Sequence, residues 1–446
     1  MDQGMNSLQF HTFGCKVNTY DTGLLQQSLR GPSDGGHGVV HVLNTCAVTA
    51  EATKDAIRLI RRIKARDPQA RIVVTGCAAQ VDTHCFSELP GVDLVIANSH
   101  KGQIREILTK FLHGDLPSDA KSEPSLARVF KSNIFRKEDL EAGGGLEEKH
   151  SRAFLKIQDG CNSFCSYCII PFARGKSRSI PVAELVRRVQ ELQEQNISEV
   201  VLTGIHIGDY EDGVRRLEDL IEALLRRTAI PRLRLTSLEP VEVSDRLLEL
   251  FADERLCSHF HLSIQSGSSP VLRAMKRKYG QEEVRRCLET IGHRYPSAFV
   301  GMDLIAGFPS ESEDDFTATF GLLNECPWTK IHVFPYSERE GTMAATFDQL
   351  PMSTRKHRAR RFRELSHQRL QQRAARQVGQ LKRVLLLQQR GQRQMALSRD
   401  YWNLELSHAP ASGLAAGLAA GGEFLARVTG FRRDMPQILE GVYERT

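Results

Sequence analysis

The chain has 446 residues, 41% of them hydrophobic, and a net charge of +6. It is too long for one ordinary core, and it contains no run of about eighteen apolar residues, which excludes an ordinary membrane-spanning helix. The opening MDQGMNSLQFHTFG lacks the basic-then-apolar order of a secretory signal, so the expected location is the cytoplasm, with no membrane partner. Ten cysteines in a reducing compartment are poor disulfide candidates. Clustered ones are better read as ligands or catalysts.

Short apolar runs alternate with helical periodicity through the first 113 residues: strands at 8–14, 39–45, 70–76 and 94–97, helices near 18–30, 50–66 and 101–113. This order predicts an open parallel α/β sheet. Cys15, Cys46 and Cys77 each fall just past the carboxyl end of one of the first three strands. In such a sheet those ends lie side by side and form the ligand crevice, so three cysteines about thirty residues apart converge on one site. Buried thiols without a ligand are the plainer alternative, favoured for one cysteine but not for three in equivalent places.

Residues 115–150, with LPSDAKSEPS and EAGGGLEEKH, are polar and rich in Gly, Ser and Pro. They predict a linker at 119–149 between a domain at 1–118 and one at 150–378. The alternation resumes with strands at 152–158, 199–204, 232–238, 259–264, 298–306 and 330–336, each but the last followed by a helical pattern. Six parallel strands with crossover helices predict a curved sheet closing toward a barrel, with its active groups at the strands' carboxyl ends.

The first of those ends carries QDGCNSFCSYCIIPFARGKSRS, in which Cys161, Cys165 and Cys168 form a C-x3-C-x2-C array. Three thiolates on one loop can hold three corners of a [4Fe–4S] cluster and leave one iron without a protein ligand. Structural zinc, the alternative, is four-coordinate, and the loop offers no fourth arm. The other strand ends carry LTGIH (202–206), TSLEP (236–240), SIQSG (263–267), IAGFP (305–309) and PYSERE (335–340).

Charge is spread unevenly. Between Arg355 and Arg399 fourteen Lys/Arg face the single acid Glu364, a local +13 that leaves the rest of the chain at −7. Such a run points to a polyanionic partner, a solvated helix face being the alternative, and Arg358, Arg360, Arg361 and Arg363 are the expected phosphate contacts. Beyond it, at 379–446, KRVLLLQQ, QMALSRDYWNLELS and GEFLARVTGF suggest a small antiparallel barrel with ASGLAAGLAAGG as a loop. Tyr401 and Trp402 there suit either base stacking or core packing.

The cluster array, with Tyr167 inside its last pair and GKSRS after it, resembles the radical S-adenosylmethionine (SAM) superfamily. TFGCKVNTYDT, LNTCAVTAEAT and VTGCAAQ resemble the three motifs of the amino-terminal domain of methylthiotransferases, and NTCAVTAEA is similar to the branch acting on N6-threonylcarbamoyladenosine in tRNA. The carboxy-terminal pattern resembles a TRAM domain, although SRDYW stands where a Gly-His-Thr start is usual. The resemblance implies two [4Fe–4S] clusters, an auxiliary one on Cys15, Cys46 and Cys77 and a radical-generating one on Cys161, Cys165 and Cys168, with SAM on the open iron of the latter.

By the same family pattern Tyr167, Gly204, Glu239 and Gln265 belong to the SAM pocket. The implied product is a C2-methylthio adenosine in the tRNA anticodon stem-loop, made with electrons from a low-potential carrier such as flavodoxin or ferredoxin. Asn18 and Asp21 match polar positions of the first motif, helix N-capping being a second explanation. Arg174, Lys176 and Arg339 are candidates to pair the substrate carboxylate. The rivals are action on isopentenyladenosine or on a ribosomal protein side chain, and a non-enzymatic iron–sulfur RNA-binding protein.

Overall fold

A computed structural model describes residues 7–29, 39–116, 127–138, 140, 152–387, 394–407 and 422–444. The chain forms two compact units, one of Met1–Leu146, Phe154–Ile180 and Ser337–Ala345, the other of Glu147–Ala153, Pro181–Tyr336 and Thr346–Thr446.

The first unit is built on a parallel sheet in the order β1 (Ser7–Thr12), β2 (Val39–Thr45), β3 (Arg71–Gly76), β4 (Leu94–Ala97) and β5 (Arg128–Phe130). Its central strands are buried on both faces, which is why they read as nearly continuous apolar runs. On one face Leu43, Ile72, Val74 and Val95 pack with Ala56, Ile60 and Ile63 of the helix Ala50–Arg66. On the other Val40, Val42, Val73, Leu94 and Ile96 meet Leu25 of the helix Lys16–Ser28 and Ile104, Ile107, Leu108 and Phe111 of the helix Ile104–His113.

Two features depart from the predicted linker at 119–149 and the cut at 150. Arg128–Phe130 adds an edge strand to the sheet, too short to leave a periodic signal. The cluster segment Phe154–Ile180 folds with the amino-terminal sheet, because Ile169 and Ala173 belong to that sheet's core.

β6 (Arg152–Lys156) begins in the second unit and ends in the first, where β7 (Gln158–Asp159) and β8 (Arg178–Ser179) pair antiparallel at the base of the cluster loop. In the second unit β9 (Glu199–Thr203) pairs parallel with β10 (Arg232–Leu235). β11 (Ser237–Leu238), β12 (His259–Gln265), β13 (Phe299–Ala306) and β14 (Lys330–Pro335) form a four-stranded parallel sheet. The strand predicted at 232–238 is thus broken at Thr236, and β12 shifts register between Leu262 and Gln265. Helices Leu217–Arg227, Asp245–Leu250, Gln281–Arg294 and Glu313–Glu325 supply the crossovers.

The carboxy-terminal strands β15 (Leu381–Leu386), β16 (Gln394–Ser398), β17 (Asn403–Leu406), β18 (Glu423–Phe431) and β19 (Ile438–Glu444) close into a barrel, which removes every sheet edge; it is not antiparallel throughout as expected, because β17 and β19 pair parallel. Its core takes in Leu370 and Ala374 of the helix Met352–Ala375. Trp402 is buried there against Phe299, while Tyr401 stacks on His259 at 3.9 Å between ring centres, so both aromatics are packed within the fold. The Ala/Gly-rich segment lies outside the described residues.

One acid organises the second unit. Glu199, at the start of β9 and fully buried, accepts from Arg152, Arg232 and Arg234 at 2.7–3.0 Å, and Arg232 and Arg234 also donate to barrel carbonyls of Leu397, Ser398 and Arg399. Burial alone would raise its carboxyl, but the three guanidinium groups outweigh that and hold it well below the usual range. A depressed carboxylate stabilises the fold above its unfolded value of about 4 and loses that contribution as pH falls through its folded pKa. Glu199→Gln, which strands Arg234 in the interior, is expected to cost about 3–5 kcal/mol at neutral pH. Denaturant titration checks this: the gap between wild type and variant should narrow below about pH 4, and a gap unchanged down to pH 2 would contradict it.

Candidate iron–sulfur sites

The amino-terminal triad converges as the strand order predicts. Cys15 caps the helix Lys16–Ser28, Cys46 directly follows β2, and Cys77 opens the helix Cys77–Val81 directly after β3. Two glycines permit the approach. Gly14 has φ +93°, and a Cβ there would lie 2.6 Å from the Cys46 sulfur; Gly76 has φ +97°, and its Cβ would lie 2.4 Å from the Thr45 carbonyl oxygen. Cys46 and Cys77 are buried, while Cys15 remains accessible. Burial, then the neighbouring Cys77, pushes the Cys46 thiol up to about 12. Such clustered thiols are poor thiolates by themselves and become so when a cationic centre removes their mutual repulsion.

In the second triad Cys165 is buried and Cys161 and Cys168 are half-buried. The loop is closed at its base by the Cys161 amide donating to Gly175 O (3.1 Å) and by Gln158 donating to Gly160 O (2.7 Å) and the Ser177 hydroxyl (2.8 Å). Gly160 has φ +78°, and a Cβ there would come 2.0 Å from Lys176 O, so GKSRS is needed as backbone packing for the loop. Phe164 sits at φ 45°, a rare conformation for a bulky residue, between the first two ligands.

Each triad supplies three cysteine sulfurs, the number that holds a [4Fe–4S] cluster with one iron left open, whereas a structural zinc needs a fourth ligand. Each triad also has N–H donors aimed at sulfur, from Val48 to Cys46 (3.5 Å) and from Ser163 to Cys161 (3.4 Å), as cluster thiolates require.

The remaining predicted site residues lie in both units. Tyr167 stays in the cluster loop of the first, half-buried. In the second, Gly204 directly follows β9, Glu239 directly follows β11 and Gln265 ends β12. Gln265 has φ 61° at the register shift, the kind of backbone strain that gathers at functional sites. Glu239 is buried, paired with Arg277 and 3.6 Å from His206. Glu242 accepts from the Glu239 amide at 2.7 Å and meets His206, and a Cβ on Gly208 would lie 2.0 Å from its carboxyl carbon. His206, Glu242 and Arg277 were invisible as a set in the sequence, although the strand-end motif LTGIH and the E-x-x-E spacing of the capping turn mark two of them.

Four expectations are corrected. Arg174 is buried and spent on Asp159 (2.9 and 3.0 Å), Asn18 (2.6 Å) and Asp21 (3.1 Å), and Arg339 is buried on Asp82 (2.6 Å), so neither is available for a substrate carboxylate; Lys176 is exposed. Asn18 and Asp21 cap no helix: both are buried, Asn18 donating to Phe13 O and Thr45 O, and Asp21 accepting from Lys101 (2.7 Å) and Lys156 (2.8 Å). Arg358 is buried on Glu311 and Glu313. Lys356, Arg360, Arg361 and Arg363 are the exposed cations of that stretch of helix, Arg363 with one nitrogen on Val333 O.

Residues 155–323 match the radical SAM superfamily, and residues 7–97 match a family described as uncharacterized protein family UPF0004. The chain is 36% identical over 389 residues to the threonylcarbamoyladenosine tRNA methylthiotransferase MtaB of Aquifex aeolicus, covering 85% of this chain and 92% of the relative. It is 34% identical to MtaB of Bacillus subtilis (82% and 81% covered), and 30% identical to the tRNA-2-methylthio-N(6)-dimethylallyladenosine synthase of Thermodesulfovibrio yellowstonii (76% and 77%). Among solved structures, the radical SAM methyltransferase TsrM of Kitasatospora setae, with cobalamin and a [4Fe–4S] cluster bound, shares the fold at TM-score 0.53 and 16% identity, over 76% of this chain and 77% of that one. With two such relatives covered over four-fifths of their length or more, the chain belongs to the radical SAM tRNA methylthiotransferase family.

Proposed function

We propose that this chain installs a methylthio group at C2 of N6-threonylcarbamoyladenosine in the anticodon loop of tRNA. The observation that carries it is the pair of cysteine triads, Cys15/Cys46/Cys77 and Cys161/Cys165/Cys168, within one compact unit. The threonylcarbamoyl specificity follows the NTCAVTAEA motif and the relatives that bear that name.

Each triad holds one [4Fe–4S] cluster by three thiolates. The groups supply, when bound with SAM, homolytic C–H activation and a sulfur donor; an aromatic C–H has no acidity for a general base to use. The chain's own part is positioning. By the family pattern Tyr167, Gly204, Gln265 and Glu239, the last held by Arg277, would contact SAM when it is bound. Lys176, exposed beside the cluster loop, is the cation left to meet the substrate carboxylate. A small low-potential carrier such as flavodoxin or ferredoxin supplies the electron, in the cytoplasm. No helix among the described residues is long and apolar enough to cross a membrane.

A pocket that pairs a carboxylate leaves its cation unsatisfied when a branched hydrocarbon enters, a loss that exceeds the roughly 1–3 kcal/mol by which an apolar pocket discriminates. In a competition between anticodon stem-loops, the threonylcarbamoyl form is therefore expected to react preferentially by at least about a hundredfold. Equal reaction, or preference for the isopentenyl form, would remove the assignment of substrate and leave the chemistry standing.

A further inference from the structure

The buried ionic network of the first unit ends on a cluster ligand. Arg174 donates from Nε to Cys77 Sγ at 3.2 Å, while its other nitrogens hold Asp159, Asn18 and Asp21. Lys156 joins Asp21 to Asp159 (2.8 and 3.2 Å), and Lys101 reaches Asp21 (2.7 Å) and Asn98 (3.3 Å). Asn98 donates in turn to Cys77 Sγ (3.7 Å) and to Ala173 O (2.9 Å). All five charged side chains are buried.

Their charges do not balance. Three cations, Arg174, Lys101 and Lys156, face two carboxylates, Asp21 and Asp159. A buried positive charge needs a partner, and the group at which Arg174 points its Nε–H is the Cys77 sulfur. A [4Fe–4S] core of charge +2 on three thiolates carries a net −1, and one more negative charge after reduction.

We infer that Arg174 is the counter-cation of the auxiliary cluster, a positioning residue that fixes the Cys77 thiolate and raises the reduction potential of the cluster it holds. This rests on the reading that Cys15, Cys46 and Cys77 carry that cluster. Hydrogen bonds to sulfur and nearby positive charge favour the more negative, reduced state, so both effects have the same sign. Arg174 stands six residues after Cys168, so one short segment carries a ligand of the radical-generating cluster and the counter-charge of the auxiliary one.

The test uses full-length protein with Cys161, Cys165 and Cys168 replaced by Ala, leaving the auxiliary cluster alone, and an EPR-monitored redox titration. Arg174→Gln is expected to shift the reduction equilibrium at least tenfold toward the oxidised form, about 59 mV for one electron. Because that change leaves Asp159 short of a partner, the double variant Arg174→Gln/Asp159→Asn, which removes one cation and one carboxylate together, should show a smaller shift of the same sign in a folded protein, since the Nε–H donor to Cys77 is lost in both. Arg174→Lys should return part of it. Iron retained at an unshifted potential in the double variant would overturn the role of Arg174 and leave the cluster in place. A triple-alanine parent that binds no iron would overturn the cluster assignment itself, and the inference with it.

Discussion

Protein with Cys161, Cys165 and Cys168 changed to Ala is expected to hold about half the iron of the reconstituted wild type, roughly four of eight atoms, and to cleave no SAM. The reciprocal change of Cys15, Cys46 and Cys77 should remove the other half yet leave SAM cleavage intact, measured as 5′-deoxyadenosine released from reduced protein. Independence is expected because each triad is built by its own backbone: the strand-end turns at Gly14 and Gly76 for one, the loop closed by Gly160 and Gly175 for the other. Neither set of thiols substitutes for the other. Full iron in the second triple variant, or no iron in the first, would remove the auxiliary cluster from Cys15, Cys46 and Cys77.

Charge reversal on the basic helix should separate two kinds of arginine. Lys356→Glu, Arg360→Glu and Arg361→Glu together change exposed side chains on Met352–Ala375. They should leave stability within about 0.5 kcal/mol per site while weakening tRNA binding. The slope of log affinity against log salt should fall by up to about 0.7–0.9 for each phosphate that is no longer neutralised. Arg358→Glu is a different experiment. Its guanidinium is buried and pairs with buried Glu311 (2.8 Å) and exposed Glu313 (3.0 Å), so reversal sets a new carboxylate against Glu311 in the interior and is expected to cost at least about 3–5 kcal/mol. Denaturant titration and filter binding across a salt series read the two outcomes. An unchanged salt slope in the exposed-site variant would locate the RNA on another surface.

Much of the candidate site was legible from spacing alone, because its thiols are few and chemically distinctive. The array Cys161, Cys165, Cys168 is local, and Cys15, Cys46 and Cys77 follow from strand alternation and the rule that parallel strands place their carboxyl ends together. The closed carboxy-terminal barrel and the parallel strands of the middle region were likewise written in period-2 and period-3.6 patterns.

Local patterning therefore sets the inventory: which elements form, in what order, and which thiols gather at strand ends. Tertiary structure alone decided where the charges go. Fourteen basic residues between 355 and 399 read as one solvated polyanion site, yet Arg355 and Arg358 are buried and Arg363 and Arg373 donate to backbone carbonyls. Arg174 read as a substrate contact and is instead enclosed by Asp21 and Asp159, residues 153 and 15 positions away. Hydrophobic periodicity records which side of an element faces inward, a local property. An ion pair is a contact between two points far apart in the chain, and no local pattern encodes its partner, so the buried network that ends on Cys77 became visible only when the chain was folded.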